Sequence, residues 1–322
     1  MKRRRFSTIM AGTATAMATS CRGPGSASTL RWKGVLFNAE VEFTLEGLPA
    51  RDAEVLTRSC VDEMVRLEKI FSLYQPQSAL CRLNREGVLD APPAEFSELV
   101  DLALEISAET GGVFDPTIQP YWTWLGETLA AGRKVDEAEH RRQLARVDYR
   151  EVECSSGRIR FARPGMGMTL NGIAQGYITD RIAALLRAGG ARHCLVNLGE
   201  FAAIGTQADG RPWEVAVRGL GPDVAGPLRD GALAGSSGSG HYFGVGSRAN
   251  HLINPRDGRS PDPGRTGAVH AADAVTADAL STAAAVLDDE AARRLEAIRP
   301  GVRVRIHSGD AGIGIPGGNT VS

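Results

Sequence analysis

The chain has 322 residues, of which 43% are hydrophobic, and can therefore bury the core of one large domain or of two small ones. Its formal net charge is −1 at pH 7, with basic and acidic residues in balance. This balance argues against a nucleic-acid-binding protein, because such a surface needs a stripe of basic residues with interleaved aromatic side chains.

Residues 1–20 have the layout of an export signal. A basic start from Lys2 to Arg5 precedes a weakly apolar run of small residues that is too short and too polar to span a bilayer. The sequence RRRF at positions 3–6 resembles the twin-arginine signal of exported folded proteins. We therefore expect a twin-arginine-type signal, a Gly/Pro/Ser-rich linker over residues 21–32, and a periplasmic protein.

The cysteines allow two further expectations. Cys21 follows the sequence ATS, a poor but admissible lipoprotein box, so this residue is either a lipid anchor or, after a simple cleavage nearby, discarded or idle. The remaining cysteines lack the spacing of a metal site and are expected to be buried free thiols, with one disulfide as the alternative. They are Cys60, Cys81, Cys154 and Cys194.

Hydrophobic periodicity predicts the first elements of the folded body. Residues 35–45 alternate between apolar and other side chains, which indicates one half-buried strand. Helical spacing covers residues 51–71 and 94–110, and the second helix is expected to stop at Gly111. The connection over residues 71–87 is predicted to be irregular.

In chain order, the later elements are a charged helix over 135–147, strands over 151–156, 158–164 and 213–219, a Gly/Ser-rich segment over 231–240, an Ala-rich helix over 276–295 and a strand over 302–306.

The centre of the chain, residues 167–205, predicts a β-α-β unit. An apolar stretch leads through a glycine-bearing loop into an amphipathic helix, which Gly189 ends before the buried strand over 193–199. The whole pattern indicates a mixed α+β fold. Residues 311–322 form a Gly-rich tail that is expected to fray.

The first candidate site is the loop before this helix, which carries Asn171-Gly172 and Gln175-Gly176. Glycines at a helix start let backbone N–H groups approach a phosphate closely, and the helix dipole attracts the anion. The spacing is neither GxGxxG nor a Walker motif, so a purely structural role is the alternative.

The second candidate is the pair Asp278 and Thr282, four residues apart on a predicted helix and therefore on one face. A carboxylate and a hydroxyl are hard oxygen ligands that suit Mg²⁺. Alternatively, the Asp offsets the helix dipole and the Thr packs against it.

The third candidate is His251, on a loop before an Asn-Pro turn, where it is either a general base or a turn-stabilising residue.

Six motifs in register resemble the ApbE family of FAD:protein FMN transferases over about residues 33–310. They are IFSLYQPQSALCRLN, TGGVFDPTIQPYW, LNGIAQGYITDR…LLRAGG, LVNLGE, HLINPRDG and ADALSTA. The variant LNGIAQGYITDR…LVNLGE looks like the NosX branch, the accessory flavin transferase of nitrous oxide reduction. The resemblance implies one catalytic domain with FAD in a cleft between sheet and loops.

The resemblance also implies a Mg²⁺-dependent reaction that moves FMN from FAD to a Thr or Ser hydroxyl of a partner protein and releases AMP. In this branch the acceptor would be a NosR-type membrane flavoprotein. By the same match, Asp278, Thr282 and the main-chain oxygen of Gly172 would hold the metal, and His251 would accept the proton of the acceptor hydroxyl. The matching flavin- or nucleotide-contacting positions are Leu36, Tyr74, Val113, Phe114, Asp115, Thr169, Gln175 and Leu252, with Ser236 and Ser237 near the phosphates.

The chain departs from the common family pattern at several of these positions. Thr169 replaces an Asp, Asn171 a Gly or Ser, and Gln175 the Lys expected on the flavin, while Glu200 stands where Gly is usual and Asn254 replaces an Asp. Gln can donate a hydrogen bond but cannot offset phosphate charge. Two alternatives to transfer therefore stay open, namely hydrolysis of FAD to FMN and AMP, and an exported carrier that holds FAD without chemistry.

Overall fold

The computed structural model describes residues 28–37, 39–155, 157–217, 226–243 and 248–309, together with the backbone of residues 320–321. The predicted export signal, Cys21 and most of the predicted linker lie outside these residues, as does most of the predicted tail. Within the described part of the chain, no helix is both long and apolar enough to cross a membrane.

A seven-stranded sheet, in which every neighbouring pair is antiparallel, forms the centre of the fold. The strands of the described chain are β1 (Thr29–Leu36), β2 (Ala39–Glu46), β3 (Val88–Asp90), β4 (Val152–Ser155), β5 (Arg158–Phe161), β6 (His193–Asn197), β7 (Phe201–Ile204), β8 (Trp213–Val217), β9 (Gly226–Leu228), β10 (Gly231–Ser237), β11 (Arg265–Ala271), β12 (Arg303–Ser308) and β13 (Thr320–Val321). The central sheet has the order β1-β2-β6-β7-β10-β11-β12, and two small sheets have the orders β13-β8-β9 and β3-β5-β4.

Helices lie around this sheet, and two of them position the candidate site. In chain order they are α1 (Ala50–Phe71), α2 (Ala79–Glu86), α3 (Ala94–Glu109), α4 (Gln119–Ala130), α5 (Glu137–Leu144), α6 (Ala174–Ala188), α7 (Ala274–Val286) and α8 (Asp289–Arg294). Helix α7 packs on β10 and β11, and α6 packs between α7 and α1. The helices and the central sheet share the main hydrophobic core.

A second hydrophobic cluster lies between the central sheet and the β8-β9 layer. Side chains from β6, β7, β10 and β11 pack there against Trp213, Val215, Val217 and Leu228. The central strands are therefore covered on both faces, by helices on one and by strands on the other, which gives a layered α+β domain.

The single strand predicted over residues 35–45 is wrong in its connectivity. The structure instead has a hairpin, in which β1 and β2 pair from Leu36↔Ala39 outward. The chain reverses at Phe37, whose φ of 49° lies in the left-handed region. The alternation is confirmed from Val41 onward, because Val41, Phe43 and Leu45 are all buried, whereas Phe37 and Ala39 of the same predicted face are only partly buried.

The mixed α+β class is confirmed, but the β-α-β unit takes another form. Helix α6 follows β5 and precedes β6 in chain order, yet β5 belongs to a small sheet and β6 to the central one. Residues 162–173, directly before α6, form turns and irregular structure instead of the expected strand. Local periodicity predicted the elements, whereas strand partners depend on distant parts of the chain.

Three further differences have local causes. The irregular connection contains α2, which Ser78 caps by accepting the N–H of Cys81 at 3.0 Å. The Gly/Ser-rich segment contains β10, where Gly235 is needed because a Cβ there would lie 2.2 Å from Cγ1 of Val217. The Ala-rich helix is broken into α7 and α8 at Asp288, whose side chain caps the second helix.

The four cysteines in the described chain are free thiols, and the predicted disulfide alternative does not form. Cys60 and Cys194 are buried as expected, and burial raises the pKa of each thiol to about 12. Cys81 is partly buried, while the expectation of burial is wrong for Cys154, which is exposed.

Candidate active site

The first turn of α6 lies against α7, and a glycine makes this contact possible. The N–H of Gly176 donates to Oδ2 of Asp278 at 3.0 Å. A Cβ at Gly176 would lie 2.4 Å from the carbonyl oxygen of Ala274 and 2.8 Å from Cβ of Asp278. Any side chain here would push the helices apart, so the second glycine of the predicted loop serves helix packing.

Asp180, one turn further along α6, anchors the start of α7. Its two carboxylate oxygens accept the N–H groups of Ala274 and Val275 at 2.8 and 2.9 Å. Asp273 caps the same helix by accepting the N–H of Thr276 at 2.8 Å. Burial raises the pKa of Asp180 to about 6, although both N–H groups favour its charged form.

Asp278 and Thr282 lie one turn apart on α7, as the sequence predicts. Asp278 is only 4% exposed, and burial raises the pKa of its carboxyl to about 7. The hydroxyl of Thr282 lies 3.3 Å from Oγ of Ser236 on β10. The Ser236 hydroxyl also pairs with the hydroxyl of Ser281 at 2.8 Å. The structure therefore brings Ser236 to this group.

The loop before α6 carries Gly172 against Thr282. A Cβ on Gly172 would lie 3.1 Å from Oγ1 of Thr282 and 3.3 Å from Cε2 of Phe114. Oγ1 of Thr169 accepts the N–H of Asn171 at 3.2 Å and so shapes this loop. The main chain at Gly172, the Thr282 hydroxyl and the Phe114 ring are therefore neighbours, although they come from three distant segments.

Gln175 contacts the turn between β6 and β7. Its Nε2 donates to the carbonyl oxygen of Leu198 at 2.8 Å, and a Cβ at Gly199 would lie 2.4 Å from that nitrogen. Gly199 has a φ of +111°, a conformation that glycine adopts without strain. The amide of Gln175 thus holds the turn that leads directly to the buried Glu200.

His251 lies on the loop that packs beside the residues following β10. A Cβ at Gly240 would lie 3.0 Å from Cε1 of His251, and Nε1 of Trp122 donates to the His251 carbonyl at 3.1 Å. The imidazole Nδ1 is buried without a hydrogen-bond partner. Burial lowers the pKa of His251 below its ordinary 6.5, so the ring is neutral at pH 7 and able to accept a proton.

Other predicted contact residues differ in what their side chains can offer. Tyr74 is 62% exposed, whereas Val113 and Leu252 are buried. The carboxylate of Asp115 is engaged inside the protein, because it accepts the N–H and hydroxyl of Thr117 and the N–H of Tyr149. Asp115 therefore holds the loop that carries Phe114.

Leu36 and Ser237 are not brought to the group around Thr282. Leu36 is 2% exposed in the main core and ends the edge strand β1, four positions from β10 in the sheet order. The hydroxyl of Ser237 pairs with Ser239 and Thr266. Neighbouring strand residues point to opposite faces, which explains why Ser236 faces α7 and Ser237 does not.

A family model described as the ApbE family matches residues 36–306 of this chain. The chain belongs to the ApbE family. Two curated relatives of this ApbE chain carry the name FAD:protein FMN transferase. The relative from Treponema pallidum (strain Nichols) is 28% identical over 286 residues, which cover 76% of this chain and 77% of the relative. The relative from Escherichia coli (strain K12) is 24% identical over 270 residues, which cover 78% of this chain and 76% of the relative.

Solved ApbE structures have the same fold. The apo form of the flavinyl transferase ApbE from Pseudomonas stutzeri is 26% identical, with a TM-score of 0.74 over 88% of this chain and 92% of that chain. The ApbE protein from Thermotoga maritima is 23% identical, with a TM-score of 0.74 over 88% and 97% of the two chains. The predicted mixed α+β ApbE-like domain is therefore confirmed.

The donor groups of this ApbE chain fit a hard divalent cation. In the described residues, no group of three or more His, Cys, Asp or Glu side chains could hold a metal ion. The Asp278 carboxylate and the Thr282 hydroxyl are hard oxygen donors, and a cation held by these two side chains would keep positions for phosphate oxygens and water. Mg²⁺ binds in this way, whereas metals that need several His or Cys ligands do not.

Several residues that build the site were not assigned by sequence reasoning. Asp180 lies on the buried side of α6, and an acid on the apolar face of a predicted helix is the only feature of the sequence that points to it. Asn84 holds the loop before α6 by bonding both the N–H and the carbonyl of Met168, at 2.7 and 2.8 Å. The burial of Glu200 has no signal in the sequence, because acidic residues in turns are mostly exposed.

Proposed function

We propose that the protein transfers the FMN half of FAD to a Thr or Ser hydroxyl of a partner protein and releases AMP, in a Mg²⁺-dependent reaction. One observation carries this proposal. The buried Asp278 lies one helical turn from Thr282, beside the glycine-bearing start of α6. Membership of the ApbE family supports the same reaction.

The start of α6 is suited to hold the diphosphate of FAD. The N–H groups of Ala174 and Gly176 are already bonded, to the Leu170 carbonyl oxygen and to Asp278, so the backbone contributes here through the helix dipole, which attracts an anion at this end. Gly172, Asp278 and Thr282 would hold Mg²⁺, which when bound neutralises negative charge on the diphosphate. The exposed Tyr74 offers aromatic surface to the flavin or adenine, while the buried Phe114 packs against Gly172.

His251 would act as the general base. Its neutral imidazole accepts the proton of the acceptor hydroxyl, whose oxygen attacks the phosphorus of the FMN half. The bond from that phosphorus to the bridging oxygen breaks, and the oxygen leaves with AMP. Burial of the imidazole supports this role because it keeps the ring unprotonated at neutral pH.

We further propose that the protein is of the NosX type and acts in the periplasm on a NosR-type membrane flavoprotein. The motif variant LNGIAQGYITDR…LVNLGE and the twin-arginine-like start support this assignment. In this arrangement residues 1–20 are the export signal, residues 21–32 the linker and residues 33–310 the catalytic domain, followed by a tail over 311–322. Cys21 would be the point of a lipid anchor.

The proposal is tested with protein lacking the signal, FAD, MgCl₂ and an acceptor that carries a candidate flavinylation Thr or Ser. Flavin fluorescence on the denatured acceptor, together with AMP release, is the expected result. AMP release without labelling would establish hydrolysis instead, and bound FAD without AMP would establish a carrier. We expect Asp278→Ala to abolish labelling and AMP release, while Asp62→Ala, at an exposed position on α1, leaves both unchanged.

A further inference from the structure

Glu200 is a buried carboxylate whose second oxygen is unused. It lies in the turn between β6 and β7, where Asn197 pairs with Phe201, and it is 6% exposed. One backbone N–H, that of Gly235, donates to the carboxyl group. Its Oε2 has no hydrogen-bond partner among the described residues. An unpartnered buried carboxylate oxygen is costly and calls for a specific reason.

Two pairs of consecutive residues connect Glu200 to the group around Asp278. On α6, Gln175 bonds the turn that holds Glu200, and Gly176 donates to Asp278. On β10, Gly235 donates to Glu200, and the next residue, Ser236, lies 3.3 Å from the Thr282 hydroxyl. Neighbouring residues of α6 and of β10 therefore hold both the turn that carries Glu200 and the pair Asp278 and Thr282.

Burial raises the pKa of both carboxyls, and a neighbouring acid raises each pKa further, Asp278 that of Glu200 and Asp180 that of Asp278. Two ionised carboxylates buried together without a basic partner would repel each other and the diphosphate of an incoming nucleotide. A divalent cation between the two carboxylates offsets their mutual repulsion and their repulsion of the diphosphate, since its two positive charges balance their two negative ones.

We propose that Glu200 is the second carboxylate of the cation site, so that this protein takes up its divalent cation before the nucleotide. Asp278, Glu200 and the Thr282 hydroxyl would hold the cation, and phosphate oxygens would displace water from it later. Gln175 at the start of α6 is uncharged, so the bound cation also supplies the positive charge that the diphosphate needs. The inference rests on the proposed cation site at Asp278 and is independent of the transfer step.

The test measures Mn²⁺ binding to nucleotide-free protein by electron paramagnetic resonance of the free ion, with Mg²⁺ as competitor. We expect one Mn²⁺ per chain in the unaltered protein. Glu200→Gln keeps the size of the side chain and removes its charge, and we expect it to weaken Mn²⁺ binding about tenfold or more. Glu214→Gln on β8, at an exposed position, is the matched control and should bind like the unaltered protein.

A melting curve gives a second readout that does not depend on activity. We expect MgCl₂ to raise the Tm of the unaltered protein, and to raise that of Glu200→Gln much less. In EDTA, Glu200→Gln should melt no lower than the unaltered protein, because burial opposes ionisation of the carboxyl and the amide is uncharged and of the same size. If Glu200→Gln does not fold, Glu200→Ala replaces it in both measurements.

Unchanged Mn²⁺ affinity in the Glu200 variants would overturn the inference. So would an unaltered protein that labels its acceptor but binds no Mn²⁺ until FAD is added, and in that case the proposed transfer function would stand. Mn²⁺ binding that depends on Glu200, in a protein that never labels an acceptor, would support the inference and overturn the transfer function.

Discussion

At Gly176 the lack of a side chain decides how closely α6 and α7 approach each other. The site needs Asp278 beside the first turn of α6, and a Cβ would occupy the space that the Ala274 carbonyl oxygen and the Asp278 Cβ now fill. The same glycine also gives its N–H to Asp278. One residue therefore serves both the packing of two helices and the position of the carboxylate.

Gly176→Ala is therefore expected to cost about 1 to 3 kcal/mol in the free energy of unfolding, because the added methyl group overpacks the contact. It should also lower transfer activity in the protein that remains folded, since Asp278 is displaced. Urea denaturation and the labelling assay measure the two effects. Gly226→Ala, where a Cβ would meet no atom within 4 Å, is the control and should change stability little. An equally stable Gly176→Ala would contradict the packing argument.

His251→Gln should slow transfer by about 100- to 10,000-fold, the usual contribution of a general base, with little change in Tm. The pH dependence follows from the direction of the pKa shift. Burial lowers the pKa of His251 from 6.5, so the ring stays neutral at any pH above that lowered value. At saturating Mg²⁺, kcat/KM should rise through a pKa below 6.5 and stay level above it. A rise centred above 6.5, or one that persists in His251→Gln, would assign the base to another group.

Among the elements, α7 depends on α6 for its start. Asp180 accepts two N–H groups from the first turn of α7, and Asp273 accepts a third. The three N–H groups would otherwise be unused at a partly buried helix end. Because Asp278 and Thr282 lie on this helix, the anchor at its start sets where both side chains are.

Asp180→Ala leaves two of these N–H groups without partners and should lower the free energy of unfolding by about 1 to 3 kcal/mol. We also expect transfer to need a higher Mg²⁺ concentration for its half-maximal rate, because the start of α7 moves relative to α6 and displaces the proposed cation ligands. Denaturation curves and Mg²⁺ titrations of the labelling rate provide the measurements, with Asp62→Ala as the control. If Asp180→Ala keeps full stability, water replaces the carboxylate and α7 is anchored by packing alone.

Element by element, the sequence predicts helices better than it predicts the central sheet. Helices α1, α3 and α6 follow from apolar spacing, and the glycines after α3 and α6 mark where those two end, which are local signals. Strand β10 has no such signal, because its Gly and Ser residues lack the apolar alternation of a strand. They are required by the close approach of Val217 on one face and α7 on the other.

For the molecule as a whole, we expect export through the twin-arginine route. Replacing Arg3, Arg4 and Arg5 by Lys keeps the charge but removes the guanidinium groups, and the protein should then stay in the cytoplasm. Cell fractionation and the length of the purified chain measure the outcome. Cys21→Ser, in the chain with its signal, should be exported normally and lose any attachment to the membrane. Export that survives the Lys replacements would mean a different route.

The whole site joins segments that lie far apart in the sequence. Gly172 comes from the loop before α6, Glu200 from a turn between two strands, Ser236 from β10, and Asp278 and Thr282 from α7. The sequence alone determined the fold class, most helices, the one-turn spacing of Asp278 and Thr282, and the family, because each depends on local periodicity or on motifs in register. Only the tertiary structure decided that β1 and β2 form a hairpin, that β10 lies beside α7, and that Glu200 is buried near Asp278. These depend on contacts between distant segments, since burial and the pairing of charges are properties of the packed molecule.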